Sequence, residues 1–361
     1  MSKMREYITR IREAYLIERF ERMEKKPKKI TITILVLLSL LVPVFFSGYF
    51  MSIAIIVLIY TLVSAGIFLL IGYAGILSLG QGGFFCIGAY VSALLSIHFH
   101  FPAWLSLVCA AIVAAGFAYI LGRPFLVESS RMSVAIITLA FSIVVWIAVS
   151  RLPFTGGHDG LVGISSFQIG KIEFGDVLCY YLAWVIVGIV LFFTYNITEQ
   201  RVGRGLRAMN EFGGGDEIAT ITSGVDTTKL KLQIFILAAV YASIAGSIFA
   251  HWMTIVSPGF FDVMVSVILV MITGIGGFRS VWGPLVGSGF YWGLKEVLGA
   301  VLAGQAVRGI EPVVFGIVFL VVWIFLPGGL TGLPDEAREW WHNLQVWRGK
   351  KKIMSHEEWL K

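Results

Sequence analysis

Residues 49–71 read YFMSIAIIVLIYTLVSAGIFLLI, and no Asp, Glu, Lys or Arg interrupts them. Roughly 20 apolar residues in a helix cross the hydrocarbon core of a bilayer, so this stretch is long enough to span one. Working outward, similar runs fill the chain, and ten candidate spans emerge: 30–47, 49–71, 76–97, 103–122, 132–150, 177–195, 232–256, 261–276, 281–303 and 310–326. The expected fold is all-α, a polytopic integral membrane protein with about ten transmembrane helices. The division around Pro43 and Gly48 is open. Segment 76–97 is glycine-rich and 261–276 is short, so both are open to being broken or re-entrant.

Composition excludes the other classes. The 361 residues are 57% apolar and only 14% charged, whereas soluble domains carry about 25% charged residues, so a soluble enzyme is ruled out. The 27 Phe, 11 Trp and 12 Tyr exclude disorder. Cys86, Cys109 and Cys179 have no zinc or redox spacing and read as small buried hydrophobes.

The net charge of +6 is a matter of topology rather than of nucleic acid. With ten crossings, 24 of the 28 Lys and Arg fall on one side; the other keeps Arg151, Lys171 and Arg308, and Lys295 lies within a span. The positive-inside rule then places both termini and the 196–231 loop in the cytoplasm, and the all-helical pattern implies the inner (plasma) membrane. The domain reading follows: a cytoplasmic tail over 1–29, a transmembrane domain over 30–333 and a cytoplasmic tail over 334–361. Met4, Tyr7, Ile8, Ile11, Ala14 and Tyr15 recur at helical spacing, giving an amphipathic helix that lies on the leaflet or packs on a partner. No cleavage site follows it, so it does not read as a signal peptide.

Three stretches stand out. Gly72–Tyr90 packs six glycines into an apolar run and adds Ser78 and Gln81 at membrane depth; such residues bring helices close or break them around a cavity. A second glycine-rich stretch runs over 274–289. The loop at 201–225 has helical and polar content, which suits docking to a soluble partner. A phosphate-binding loop, a His-Glu-x-x-His zinc motif and a Gly-x-Ser-x-Gly nucleophile elbow are all missing, and the six His form no metal cluster. Among ionisable residues, Asp262 and Glu311 sit at span edges, while Lys295 and Glu296 lie deeper: they line a cavity, or the span ends early.

These blocks resemble the permeases of high-affinity branched-chain amino acid ABC importers, most closely their M-type subunit. The resemblance rests on Gly72-Tyr73-Ala74-Gly75, Ser78-Leu79-Gly80-Gln81, Phe84-Phe85 to Gly88-Ala89-Tyr90, and Thr155-Gly156-Gly157-His158-Asp159-Gly160-Leu161. Further matches are Gly203-Arg204 to Leu206-Arg207-Ala208, Ser257-Pro258, Gly276-Gly277 to Trp282-Gly283-Pro284, and 325–332.

The resemblance implies a transport subunit, not an enzyme, that forms half of a pathway for leucine, isoleucine and valine. Its implied partners are a homologous H-type permease, two cytoplasmic ATPases and an extracytoplasmic solute-binding protein. ATP is then bound by the partner subunits, and this chain needs no cofactor and no metal. It implies an ATPase-coupling loop containing Arg204, Arg207, Glu211, Glu217, Ala219 and Gly224. It also implies a pathway and helix-packing set of Gly75, Ser78, Gly80, Gln81, Phe84, Phe85, Gly88, Gly276, Gly277 and Gly283.

The chain departs from the family pattern at Gly213-Gly214-Gly215, which opposes a continuous helix, and at Thr220–Ser223. Related permeases carry urea or short amides. An ion-coupled secondary transporter is the rival from another class and requires a buried acid or hydroxyl cluster. A membrane-embedded enzyme requires a polar catalytic set that the residues do not provide.

Overall fold

The computed structural model describes Pro43 and residues 48–128, 131–169, 172–210, 214–278, 280–302, 310–325 and 328–332. The 1–29 tail, nearly all of the 30–47 span, Glu211 and the 334–361 tail lie outside the described residues.

With no water in hydrocarbon to satisfy N–H and C=O groups, apolar runs of this length close their hydrogen bonds internally as helices. Nine of the ten expected spans fall on described helices: α1 (Tyr49–Ile67), α2 (Gln81–Phe99), α3 (Ala103–Glu128), α4 (Arg131–Arg151), α5 (Asp176–Glu199), α8 (Thr227–Met253), α9 (Val263–Gly276), α10 (Gly283–Leu302) and α11 (Ile310–Phe325). Between α5 and α8 stand two short helices, α6 (Arg201–Met209) and α7 (Glu217–Thr222). Among the described residues, six segments are long and apolar enough to cross a membrane: 49–73, 81–99, 103–124, 132–151, 176–199 and 227–253. The α9 helix is shorter, 14 residues, and follows a 3-10 turn over Pro258–Phe261.

Three expectations are corrected. The span placed at 76–97 begins only at Gln81, because α1 widens into a π-helix over Phe68–Tyr73 and the chain then runs non-helically through Ala74–Gly80. The wide turn lets the Ala74 N–H reach the Leu69 carbonyl and the Ile76 N–H reach that of Leu70, which satisfies the break internally. The loop placed at 196–231 is narrower, since α5 continues to Glu199 and α8 starts at Thr227, capped by Asp226. Nor does the ninth span end early at Lys295 and Glu296: α10 continues to Leu302. Lys295 Nζ sits over the Trp292 ring at 4.7 Å, and Glu296 accepts the Tyr49 hydroxyl at 2.5 Å, so each charge has its own partner.

The α8 helix is central and packs on α1, α2 and α3, while α9 and α10 pack on each other and on α1. Small residues decide this. Along α8, Ala238, Ala239, Ala242, Ser243, Ala245 and Gly246 are buried, and in lipid such faces let backbones approach. By contrast α3, α4 and α5 expose Ile112, Ile120, Ile136, Val144, Val185 and Phe192, as lipid-facing helices do. At the end away from α6 and α7, β1 (Leu161–Val162) pairs antiparallel with β4 (Ile255–Val256), the strands β2 (Gln168–Ile169) and β3 (Ile172–Glu173) forming a separate hairpin. The Thr155 hydroxyl donates to the Val149 and Leu152 carbonyls, fixing the turn that leads into β1.

Candidate functional site

The described expected residues gather in two places: a glycine-rich contact inside the bundle, and the α6–α7 end.

Inside the bundle, Phe84 lies tilted against Phe141 at 4.8 Å and edge-on to Phe235 at 5.7 Å. Phe85 packs edge-on to Phe261 at 5.0 Å. At Gly88 a Cβ would collide with the Ser243 backbone, so α2 and α8 touch main chain to main chain there. Gly80 lies on Thr138, whose hydroxyl accepts from the Leu79 N–H at 3.1 Å. Ser78 is buried and accepts weakly from the Gly80 N–H, 3.4 Å away. Gln81 is 1% exposed, and among the described residues neither polar atom of its carboxamide has a hydrogen-bond partner. Beside Gly82 and Gly83 the hydroxyls of Ser142 (α4) and Ser266 (α9) meet at 3.1 Å. Gly276, Gly277 and Gly283 close the α9–α10 turn upon one another, where Thr331 Oγ1 donates to the Gly276 carbonyl at 2.8 Å.

At the α6–α7 end, Gly75 has φ +66° and abuts the Asn210 carboxamide, whose Nδ2 donates to the Gly72 carbonyl at 2.7 Å. Only glycine holds that backbone without strain. The Arg207 guanidinium donates to the Thr198 carbonyl at 2.9 Å and lies over the Tyr73 ring. Through these contacts α6 grips the end of α1. Replacing Asn210 with leucine is expected to raise protease sensitivity at 210–216 while leaving the helical content unchanged, which limited proteolysis and circular dichroism check.

Expectation and placement differ along α7. The non-helical stretch at Gly214–Asp216 agrees with the glycine interruption, and Asp216 then caps α7 by accepting from the Ile218 and Ala219 N–H groups. Glu217 turns inward and pairs with Lys231. The outward groups are instead Ile218, 75% exposed, Ala219 and Ile221, with Gly224 exposed beyond the helix. Arg204 is exposed on α6.

One cluster was missed in the sequence. His251, fully buried near the end of α8, has its Nδ1 2.6 Å from the Ser165 carbonyl and its Nε2 2.8 Å from Ser92 Oγ. A carbonyl only accepts, so Nδ1 carries the proton and the neutral ring accepts at Nε2 from Ser92. Ser247 Oγ lies 2.7 Å from Ser92 Oγ, and Ser96 Oγ 2.6 Å from Ser165 Oγ. The signal was a histidine within a span, four residues after a serine on the same helix face. Among the described residues no group of His, Cys, Asp and Glu is arranged to hold a metal.

Residues 49–326 match the family described as branched-chain amino acid transport system permease component. The high-affinity branched-chain amino acid transport system permease protein LivM of Salmonella typhimurium is 29% identical over 278 residues, covering 70% of this chain and 64% of that protein. LivM of Escherichia coli K12 gives the same identity and coverage. The probable branched-chain amino acid transport permease protein LivH of Methanocaldococcus jannaschii is 23% identical over 268 residues, covering 70% of this chain and 82% of that one. The chain thus spans 64% of the length of the two LivM relatives. No solved structure matches it.

Proposed function

We propose a function from one premise: this chain belongs to the family of permease components of branched-chain amino acid transport systems. It is the membrane subunit of an ATP-driven importer and forms half of the pathway for leucine, isoleucine and valine. A homologous permease supplies the other half, two ATPases drive the cycle, and an extracytoplasmic binding protein delivers the solute. The α6–α7 end faces the cytoplasm, where the positive-inside rule puts the Arg201, Arg204 and Arg207 cluster.

The observation that carries this reading is α7. A capped helix that holds Ile218 and Ile221 out at 75% and 53% exposure presents an apolar knob on the face that an ATPase would meet. Glu217 and Lys231 brace it from behind, so a push on the knob passes into α8. Through α8 it reaches the α2 contact at Gly88.

The test is a double substitution, Ile218→Asp with Ile221→Asp, in the assembled transporter in mild detergent. The ATPases are expected to co-purify with the wild type and to be lost from the variant, with leucine uptake falling about a hundredfold, as loss of a buried interface anchor implies. Retention of ATPases and uptake by the variant would remove α7 from the interface. Absence of any ATPase beside a folded wild type would overturn the importer reading.

A further inference from the structure

We propose that the N-terminal turn of α2, together with the Gln81 carboxamide, is the subsite that takes the carboxylate of the transported solute. This rests on the reading above, in which the solute is an amino acid.

The first observation is an unmet demand. Gln81 is 1% exposed, and among the described residues neither Nε2 nor Oε1 has a partner, although a carboxamide offers two donors and an acceptor. Burying such a group unpaired is costly, so its retention calls for a partner absent from the resting chain.

The second is where the helix starts. Ser96 and His251 both meet Ser165, so α2 and α8 end at one level, yet α2 has 19 residues and α8 has 27. At 1.5 Å per residue α2 begins about 12 Å inside the bundle relative to α8. Its cap, Gly80, offers no side chain, so the positive end of the helix dipole stands uncapped beside Gln81, while the Gly83 and Phe84 N–H groups turn back to the Gly80 carbonyl. A helical Cα–Cβ bond tilts toward the helix N-terminus, so Gln81 leaves the backbone toward that same end.

The third is the company. Gly82 and Gly83 lie against Ser266 and Ser142, whose hydroxyls meet at 3.1 Å. Phe84 and Phe141 stack beside them. Donors converging on a helix N-terminus favour an anion, and aromatic walls favour one with an apolar tail. A branched aliphatic amino acid carries both parts. The direct Ser142–Ser266 contact describes the closed pathway; parting α4 from α9 would free both hydroxyls for the passing solute.

The test measures ligand-induced thermal stabilisation of the complete transporter in detergent, using three probes. L-leucine has both groups, 4-methylpentanoate has only the carboxylate and 3-methylbutylamine has only the amine. In the wild type the first two are expected to raise the unfolding temperature and the third to leave it unchanged. Gln81→Leu is expected to weaken the response to both carboxylates by about tenfold in apparent Kd, the loss of a charge-assisted hydrogen bond. Gln81→Glu, which sets a fixed carboxylate at the helix end, is expected to abolish it. Both variants are to be compared at the ligand-free unfolding temperature of the wild type, with ATPase co-purification as the check on assembly.

Equal responses in wild type and variants, an equal response to the amine, or no response to leucine in the wild type would each overturn the proposal. The two readings separate by ATP-driven uptake. If the wild type imports leucine and Gln81→Leu imports it equally fast, only the carboxylate subsite falls. If the wild type imports no branched-chain amino acid, the transport reading itself falls.

Discussion

Gly88→Leu is expected to prevent the chain from reaching its native packing, with the detergent-solubilised protein aggregating where the wild type elutes as a single species. At Gly88 even a Cβ meets the Ser243 Cα and carbonyl, and at Gly246 it meets the Phe85 carbonyl and, 2.7 Å away, the Ala89 N–H. These are backbone atoms in two rigid helices, so no rotamer change relieves the overlap. Overpacking a core costs about 1–3 kcal/mol where side chains can yield, and this contact has less room than that.

The alanine variants give the quantitative form. Gly88→Ala and Gly246→Ala lie on opposite sides of one α2–α8 contact, so either alone forces the helices apart. The double variant is therefore expected to lose clearly less stability than the two single losses added, a coupling that shared contacts produce. The unfolding midpoint is readable with a thiol-reactive dye, because Cys86 and Cys179 are buried in the native chain. Additive losses would show that the two glycines answer to separate contacts.

His251→Leu carries the second large effect. It removes the donor to the Ser165 carbonyl and one of the two partners of the Ser92 hydroxyl, which keeps Ser247 Oγ at 2.7 Å. A buried carbonyl left unpaired costs about 1–3 kcal/mol, so a loss of about 2 kcal/mol is expected by denaturant titration with the same dye. The segment from β1 to β2 would keep its tie to α8 only through the Ile164 N–H on the Thr254 carbonyl. His251→Asn, able to donate where Nδ1 does, is expected to recover most of the loss, since Ser92 keeps Ser247 as its partner. Wild-type stability in His251→Leu would show that the serines close the network without the imidazole.

Much of the fold was legible because hydrophobic length is a one-dimensional property. Nine spans stand where uninterrupted apolar runs predict them, and Asp262, expected at a span edge, caps α9 by accepting from the Val263 N–H at 2.6 Å. The α2 boundary was misplaced by five residues because Ile76, Leu77 and Leu79 are as apolar as a helix requires. Only the π-turn at Phe68–Tyr73 and its back-bonds show that they run outside any helix. On α7 the charge of Glu217 drew attention, while the exposed Ile218 and Ile221 read as ordinary apolar residues.

Class, spans, charge asymmetry and glycine-rich blocks are all written in the order of residues, because each depends on local composition along the chain. Only the tertiary structure decided which helices are central, which polar groups find partners and which glycine touches what. The physical reason lies in the solvent: lipid is as apolar as a protein core, so a lipid-facing residue such as Ile136 and a buried one such as Ile59 look alike in sequence. Packing of small residues tells them apart. The pairing of His251 with Ser92 crosses 159 positions of chain, and the isolation of Gln81 is visible only once every neighbour is in place.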